Sequence, residues 1–204
     1  MLNIESLGKD DLNDYDPTKD EDVIIWSKDR KLTWNDFLGI PDSKNSHTAL
    51  TRSIYYHKAD PIIKKNGSEC EFQLGNIKTY TLFRKSGSWV KLSFLTSRNE
   101  DQLLEHEQGH FDIGEIYRRI FEAELKKEVE KIHQCRGNSI EEIQKNADRK
   151  TEKILNRLGN IVLTKRNQYN EKYENETNHG IIPDIQKKYT VDIQTQLMNN
   201  PLDT

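Results

Sequence analysis

Apolar residues are scarce in this chain, and their scarcity limits what it can build. They make up 33% of the 204 residues, and the mean hydropathy is −0.92. No uninterrupted apolar run approaches the roughly 18 residues that a membrane-spanning helix needs, so we expect no membrane span. The composition predicts one domain with a small core, accompanied by solvated helices or disordered segments.

A strong charge of one sign is also lacking. The net charge is −3 and the isoelectric point is about 6.1, so the chain offers no basic surface for nucleic acid or for an anionic membrane. The sequence does not open with a basic segment followed by an apolar one. No signal peptide is therefore expected, and the predicted location is cytoplasmic unless a leader has been removed. The composition predicts no particular oligomeric state.

Cysteine occurs only twice, at Cys70 and Cys135. The two residues are far apart in the sequence, and neither belongs to a pair with the spacing of metal ligands. We expect two unpaired thiols, and a single disulfide is the alternative.

The first 22 residues are acidic and poor in apolar side chains. Eight carboxylates lie between Glu5 and Asp22, against only two lysines. Such a segment cannot bury enough apolar surface to fold. Residues 1–22 are therefore predicted to be disordered, and residues 23–199 are predicted to form the folded domain.

The N-terminal half of that domain has the pattern of a mostly antiparallel sheet. Runs rich in β-branched and aromatic residues predict strands at Val23–Trp26, residues 48–58, Glu71–Leu74, Lys78–Arg84 and Trp89–Thr96. After the first of these runs, Thr33 and Asp36 have the spacing of a capped helical turn.

The C-terminal half has a helical pattern. Apolar residues recur at helical spacing from Asn99 to about His133, and again from Ile140 to Ile161, which predicts a long antiparallel helical hairpin. The polar stretch Asn167–Gly180 is predicted to be a loop. Pro183 opens a final helix that ends near Met198. The predicted fold class is therefore α+β.

The first helix carries the sequence His106-Glu107-Gln108-Gly109-His110 near its start. Residues four apart lie on one face of a helix, so both imidazoles can reach one zinc ion. Glu107 is angularly offset from them, and in this motif it acts as general base on the attacking water. Gly109 costs about 1 kcal/mol relative to alanine, so we expect a close approach to the helix there. The alternative is a pair of surface histidines on a charged helix.

Further motifs in the same order resemble a known family. They are Trp26; Leu32-Thr33-Trp34-x-Asp36-Phe37-x-Gly39-x-Pro41; Leu103-Leu104-x-His106-Glu107-x-Gly109-His110-Phe111-Asp112-Ile113; and Tyr173-x-x-Glu176-Thr177-x-His179-Gly180. From about residue 23 to 195 the chain resembles a bacterial family of domains of unknown function, described as predicted and often secreted zinc-dependent proteases of the zincin, thermolysin-like clan. The resemblance implies a zincin-like fold, bound Zn²⁺ and a peptide or protein substrate.

Two further roles follow from such a fold. The strand before the active-site helix usually forms an edge along which the substrate lies, which implies this role for Trp89–Thr96, with an interior strand as the alternative. Tyr173 is a candidate to donate its hydroxyl to the oxyanion of the reaction, and a packing tyrosine is the alternative.

The third metal ligand is assigned to His179. The returning helix must retrace the length of the first, which brings the segment 173–180 level with His106, and the resemblance singles out the same segment. Glu176 is the main rival, because many thermolysin-like enzymes use a glutamate as third ligand. The remaining histidines, His47, His57 and His133, are expected to be ordinary surface or helix-end residues.

Three functions fit these expectations. The first is hydrolysis of peptide bonds by a metal-activated water, with Glu107 as general base. The second is a zinc amidase that acts on a non-protein or cell-wall peptide amide. The third is a helical interaction module with a structural zinc, which an open coordination position would distinguish from an enzyme.

Overall fold

The computed structural model of the protein describes residues 15–96 and 99–199. Most of the segment that was predicted to be disordered, residues 1–14, lies outside the described residues. Residues 15–22, by contrast, include a 3-10 turn at Pro17–Lys19, where the Asp16 carboxylate accepts a hydrogen bond from the Thr18 amide (3.1 Å). The prediction of disorder is therefore wrong for residues 15–22.

Strands and helices are both present in the described part of the chain. The strands are β1 Val23–Ile25, β2 Ala49–Leu50, β3 Ser53–Asn66, β4 Glu69–Arg84, β5 Trp89–Val90 and β6 His133–Arg136, and the helices are α1 Glu100–Val129, α2 Ile140–Thr177 and α3 Pro183–Asn199. The prediction of an antiparallel sheet together with helices is confirmed. Among the described helices, none combines the length and apolar character that crossing a membrane requires.

Strand β4 is the shared element of the larger sheet. It is hydrogen-bonded to β3, and it pairs antiparallel with β1 and with β6. The two strands predicted at Glu71–Leu74 and Lys78–Arg84 are parts of this one strand. Strand β6 was not predicted, because its residues follow the apolar pattern of α1 without a proline or glycine between them.

The strand predicted at Trp89–Thr96 is wrong beyond Val90. Only Trp89 and Val90 pair with β2, in the two-stranded sheet. Residues Leu92–Phe94 instead form a 3-10 turn, closed by a hydrogen bond from the Phe94 amide to the Lys91 carbonyl (2.9 Å). The alternating pattern was misleading because the side chains of Leu92 and Phe94 are exposed rather than buried.

The chain divides into two compact units, where the sequence predicted a single domain. Among the described residues, unit 1 comprises 15–56, 80–96, 99–116 and 166–199, and unit 2 comprises His57–Thr79 and Tyr117–Lys165.

Unit 2 has an apolar core closed by a disulfide. Its buried residues are Cys70, Phe72, Leu74, Phe121, Leu125, Cys135, Ile143, Ala147, Leu155, Leu158 and Val162. Cys70 and Cys135 face each other across the β4–β6 pairing, with their Cα atoms 4.8 Å apart, and form a disulfide bond. The expectation of two unpaired thiols was therefore wrong, and the reason is that β6 was not anticipated.

Unit 1 buries apolar residues that fix the start of α1. Phe111 of α1 packs in a cluster with Leu32, Phe37, Ala49, Phe83 and Val90. The predicted capped turn is confirmed, because the 3-10 turn Trp34–Asp36 has a capping box between Thr33 and Asp36. Phe111 immediately follows His110, so this cluster anchors the helix beside the histidine motif.

The part of α2 that belongs to unit 1 occupies most of the predicted loop. The helix continues to Thr177, and its buried positions there are Arg166, Asn170, Tyr173 and Thr177. These residues are three or four apart, as one face of a helix requires, although most of them are polar. This face contacts α1 at the histidine motif.

Candidate metal centre

The two histidines of the motif lie one turn apart in the interior of unit 1. His106 and His110 are both buried, and their Nε2 atoms are 3.2 Å apart. Helix α1 begins at Glu100. Directly before it, the side-chain oxygen of Asn99 accepts a hydrogen bond from the Thr96 amide (2.8 Å). The motif therefore lies within the first turns of α1, shortly after this hydrogen-bonded turn.

Glu174 of α2 completes a group of three potential metal ligands. One carboxylate oxygen, Oε1, lies 3.1 Å from Nε2 of His110, and Oε2 lies 3.3 Å from Nε2 of His106. Metal–ligand bonds of roughly 2.0–2.1 Å in a tetrahedral arrangement place neighbouring ligand atoms about 3.3 Å apart. The side chains of His106, His110 and Glu174 are thus spaced to hold a metal ion.

This group includes neither of the residues proposed as third ligand from the sequence. His179 lies outside it, with its Nδ1 2.6 Å from Oε2 of Glu174. Glu176 accepts a hydrogen bond from the Tyr189 hydroxyl (2.8 Å). Because α2 extends to Thr177, Glu174 and Glu176 are about 200° apart around the helix, and only Glu174 faces α1.

The charges of the group reinforce one another. Burial alone would raise the pKa of Glu174, but hydrogen bonds from His106 and His110 hold that pKa well below its ordinary value. Burial likewise would lower the pKa of His110, and the neighbouring Glu174 carboxylate reverses this and raises it. A carboxylate that stays ionised next to two imidazoles attracts a cation, and a metal ion would compete with the proton on His110.

Two amide side chains orient the imidazoles. Oε1 of Gln186 lies 3.1 Å from Nδ1 of His106, and Oδ1 of Asn170 lies 3.0 Å from Nδ1 of His110. Since both partners are acceptors, each Nδ1 donates to its amide oxygen, and each Nε2, which faces Glu174, is the ring atom that a metal ion would bind. The sequence analysis missed Asn170 and Gln186, because an amide on a polar helix gives no signal by itself.

Tyr173 has the packing role that the sequence left as the alternative. Its side chain is fully buried, its ring stacks on His106 with centroids 4.6 Å apart, and its hydroxyl donates to the His106 carbonyl (3.1 Å). The same hydroxyl accepts a hydrogen bond from Nε2 of Gln186 (2.7 Å). It also accounts for Gly109, because a Cβ atom there would lie 2.3 Å from the Tyr173 hydroxyl oxygen.

Glu107 is the buried carboxylate that borders the group. Its Oε2 atom is buried and has no hydrogen-bond partner within residues 15–96 and 99–199. Leaving such an atom unpaired costs free energy, so an arrangement of this kind is expected where the carboxylate serves a ligand or a reaction. The adjacent Glu107 carbonyl accepts a hydrogen bond from the Thr51 hydroxyl (3.2 Å), which ties this turn of α1 to the chain before β3.

A cavity of about 420 Å³ opens beside these groups. It is lined by His106, Glu107 and Glu174 together with Ser46, His47, Thr48, Ala49, Asn99, Gln102, Leu103, His179, Gly180 and Ile181. The metal-ligand group and the unpaired carboxylate therefore face the same space, which is large enough for part of a substrate.

His47 is not the ordinary histidine that the sequence suggested. It lines the cavity, and its ring lies edge-on to the ring of His179, with centroids 4.6 Å apart. Burial, and then the neighbouring His179, lower the pKa of His47. His57 and His133 belong to unit 2 and pack there against Phe121 and Phe72, respectively.

Comparisons of the chain with protein-family models, with curated proteins and with solved structures find no match. They neither support nor oppose the family resemblance.

Proposed function

We propose that the protein is a zinc-dependent hydrolase of peptide bonds, with His106, His110 and Glu174 as metal ligands and Glu107 as general base. One observation carries this proposal: three ligand atoms at metal spacing lie beside a buried, unpaired carboxylate oxygen at a cavity. A zincin-like fold is part of the proposal, because the two histidines and the base come from one helix that packs against the helix of the third ligand.

The nature of the ligand set favours catalytic zinc. Two imidazoles and one carboxylate are a frequent ligand set of catalytic zinc, and three protein ligands leave a fourth position open, whereas structural zinc sites use four. Zinc bound there would act as a Lewis acid that acidifies water and polarises a substrate carbonyl group. The adjoining cavity disfavours the structural-zinc alternative, because solvent and a substrate can reach the metal-ligand group through it.

Glu107 handles the proton in this proposal. Its carboxylate takes a proton from the attacking water and passes it to the amine that leaves when the peptide C–N bond breaks. Burial favours this role because electrostatic interactions are stronger where water is excluded. Asn170 and Gln186 hold the two imidazoles so that their Nε2 atoms stay directed at the metal.

The edge that binds the substrate is assigned to residues 46–49 instead of Trp89–Thr96. Residues 46–49 line the cavity, and the last of them opens β2. An extended peptide can form backbone hydrogen bonds with such a segment, which would favour a peptide chain over a compact amide substrate.

The variant Glu107→Gln tests the proposal, and Glu105→Gln is its matched control. Glu105 undergoes the same change two residues away, where its carboxylate accepts a hydrogen bond from the Thr190 hydroxyl (2.9 Å). Glu107→Gln should bind zinc like the wild type and lose cleavage of a peptide library by at least about 100-fold, the usual range for a general base. Glu105→Gln should keep both. Wild-type turnover in Glu107→Gln would refute the mechanism, and cleavage of cell-wall amides alone would favour the amidase.

A further inference from the structure

A second group of potential metal ligands adjoins the first. It consists of His47, His179 and Glu174, whose ligand atoms all lie within 4.8 Å of one another. His47 and Glu174 are partly buried, and His179 is more exposed. The two groups share Glu174 and border the same cavity.

The two oxygens of Glu174 face different imidazoles. Oε1 lies 3.1 Å from Nε2 of His110, whereas Oε2 lies 2.6 Å from Nδ1 of His179. Oε2 also lies 3.3 Å from Nε2 of His106, so this carboxylate stands between the two groups. A carboxylate in such a place can bridge two cations about 3.5–4 Å apart, as in two-metal hydrolases.

The backbone holds His179 in this position at a conformational cost. Asn178, His179 and Gly180 have φ values of 48°, 57° and 78°, which is the left-handed region, and the first two are not glycines. The turn is closed by hydrogen bonds from the His179 amide to the Glu174 carbonyl (3.0 Å) and from the Gly180 amide to the Thr177 hydroxyl (3.2 Å). Strained conformations of this kind concentrate at functional sites.

A separate segment supplies His47. Its amide donates to the Asn45 side chain (2.9 Å), and the next residue, Thr48, accepts a hydrogen bond from the Lys91 amide (2.8 Å). His47 and His179 thus reach the cavity from unrelated parts of the chain, as the ligands of a metal site commonly do.

We propose that His47, His179 and Glu174 bind a second divalent cation, with Glu174 bridging the two metal positions. Two imidazoles and a carboxylate suit zinc, cobalt or a similar ion. The cation takes the place of the direct hydrogen bond between Nδ1 of His179 and Oε2 of Glu174. The two atoms then separate to about 3.3 Å, the spacing of ligands around a tetrahedral metal. Cation binding here does not depend on peptide hydrolysis.

Zinc titration of the full chain, freed of metal by a chelator, tests this second site. Calorimetry and elemental analysis should give two equivalents of zinc for the wild type. His47→Ala and His179→Ala should each lose the equivalent bound at the second site and keep the one at the first. His106→Ala should lose the equivalent at the first site and keep the one at the second. His133→Ala, a histidine of unit 2, should keep two. Circular dichroism would establish that each variant folds, and exposed His179 allows the test even if His47→Ala does not fold.

Saturation of the wild type at one equivalent would overturn the second site. A second equivalent that survives in the double variant His47→Ala/His179→Ala would do the same, because it would be bound elsewhere. The titration contains no substrate, so a failure of the proposed hydrolysis would leave its result unchanged. If the wild type binds a single equivalent and His106→Ala binds none, the first site stands and only the second is refuted.

Discussion

The two compact units bury different chemistry. Unit 2 has an apolar core with a disulfide and buries the charged side chains of Arg118 and Glu128. Unit 1 instead buries the histidine motif with its amide partners: His106, Glu107, His110, Asn170 and Gln186. Burying polar groups costs free energy unless each finds a partner, and those of unit 1 are largely joined in one hydrogen-bond network. The comparison indicates that substitutions in unit 2 should change stability without changing metal binding, whereas substitutions that touch the metal-ligand group of unit 1 should change metal binding.

The largest effect on stability is expected from the disulfide of unit 2. The double variant Cys70→Ala/Cys135→Ala should lose about 2–4 kcal/mol of unfolding free energy, because the unfolded chain gains conformational freedom. Urea denaturation measures this loss, and elemental analysis should find the zinc content of the folded variant unchanged. A variant that folds but no longer binds zinc would show that metal binding depends on the disulfide of unit 2, and would contradict the comparison.

Two helical glycines, Gly109 of unit 1 and Gly159 of unit 2, allow the packing of the two units to be compared by the same substitution. A Cβ at Gly109 would lie 2.3 Å from the hydroxyl oxygen of buried Tyr173, whereas a Cβ at Gly159 of unit 2 would meet nothing within 4 Å among the described residues. Gly109→Ala should therefore destabilise the protein by about 1–3 kcal/mol through overpacking. Gly159→Ala should stabilise it by up to about 1 kcal/mol, since alanine is the better helix former. Thermal denaturation that shifts both variants equally would contradict the packing of Tyr173.

A more local effect, on affinity for zinc, is expected where a ligand is only oriented. Asn170→Ala removes the acceptor for Nδ1 of His110 and should weaken zinc binding about 10- to 100-fold. Asn170→Asp keeps an acceptor oxygen and should recover most of the affinity, whereas Asn167→Ala, one turn earlier and exposed, should leave it unchanged. Competition with a chromophoric chelator measures all three affinities. Equal loss in the Ala and Asp variants would mean that Asn170 has only a structural role.

Sequence reasoning succeeded where local chemistry decides the structure. Strand β1, the capped turn after it, and helix α3 with Pro183 at its start follow from side-chain propensities and capping patterns. The spacing of His106 and His110 likewise determines that they share a helix face, whatever surrounds them.

The third ligand could not be found in this way. The predicted apolar periodicity ends at Ile161, and the polar stretch Asn167–Gly180 was predicted to be a loop. The helical pattern in fact continues in polar residues, at Arg166, Asn170, Tyr173 and Thr177. Asn170 and Tyr173 find hydrogen-bond partners on α1, and Arg166 donates to the Ser53 carbonyl of β3 (3.3 Å). Such partners are tertiary information, which the local sequence does not contain. The same dependence on distant partners hid β6 and hence the disulfide.

The identity of the third ligand is the most direct test of the metal centre. A crystal structure of the zinc-loaded protein, with zinc located by anomalous scattering, should place an ion about 2.0–2.2 Å from Nε2 of His106, Nε2 of His110 and one oxygen of Glu174. An ion bound by the two histidines together with Glu176, with Glu174 beyond bonding distance, would contradict the proposed centre.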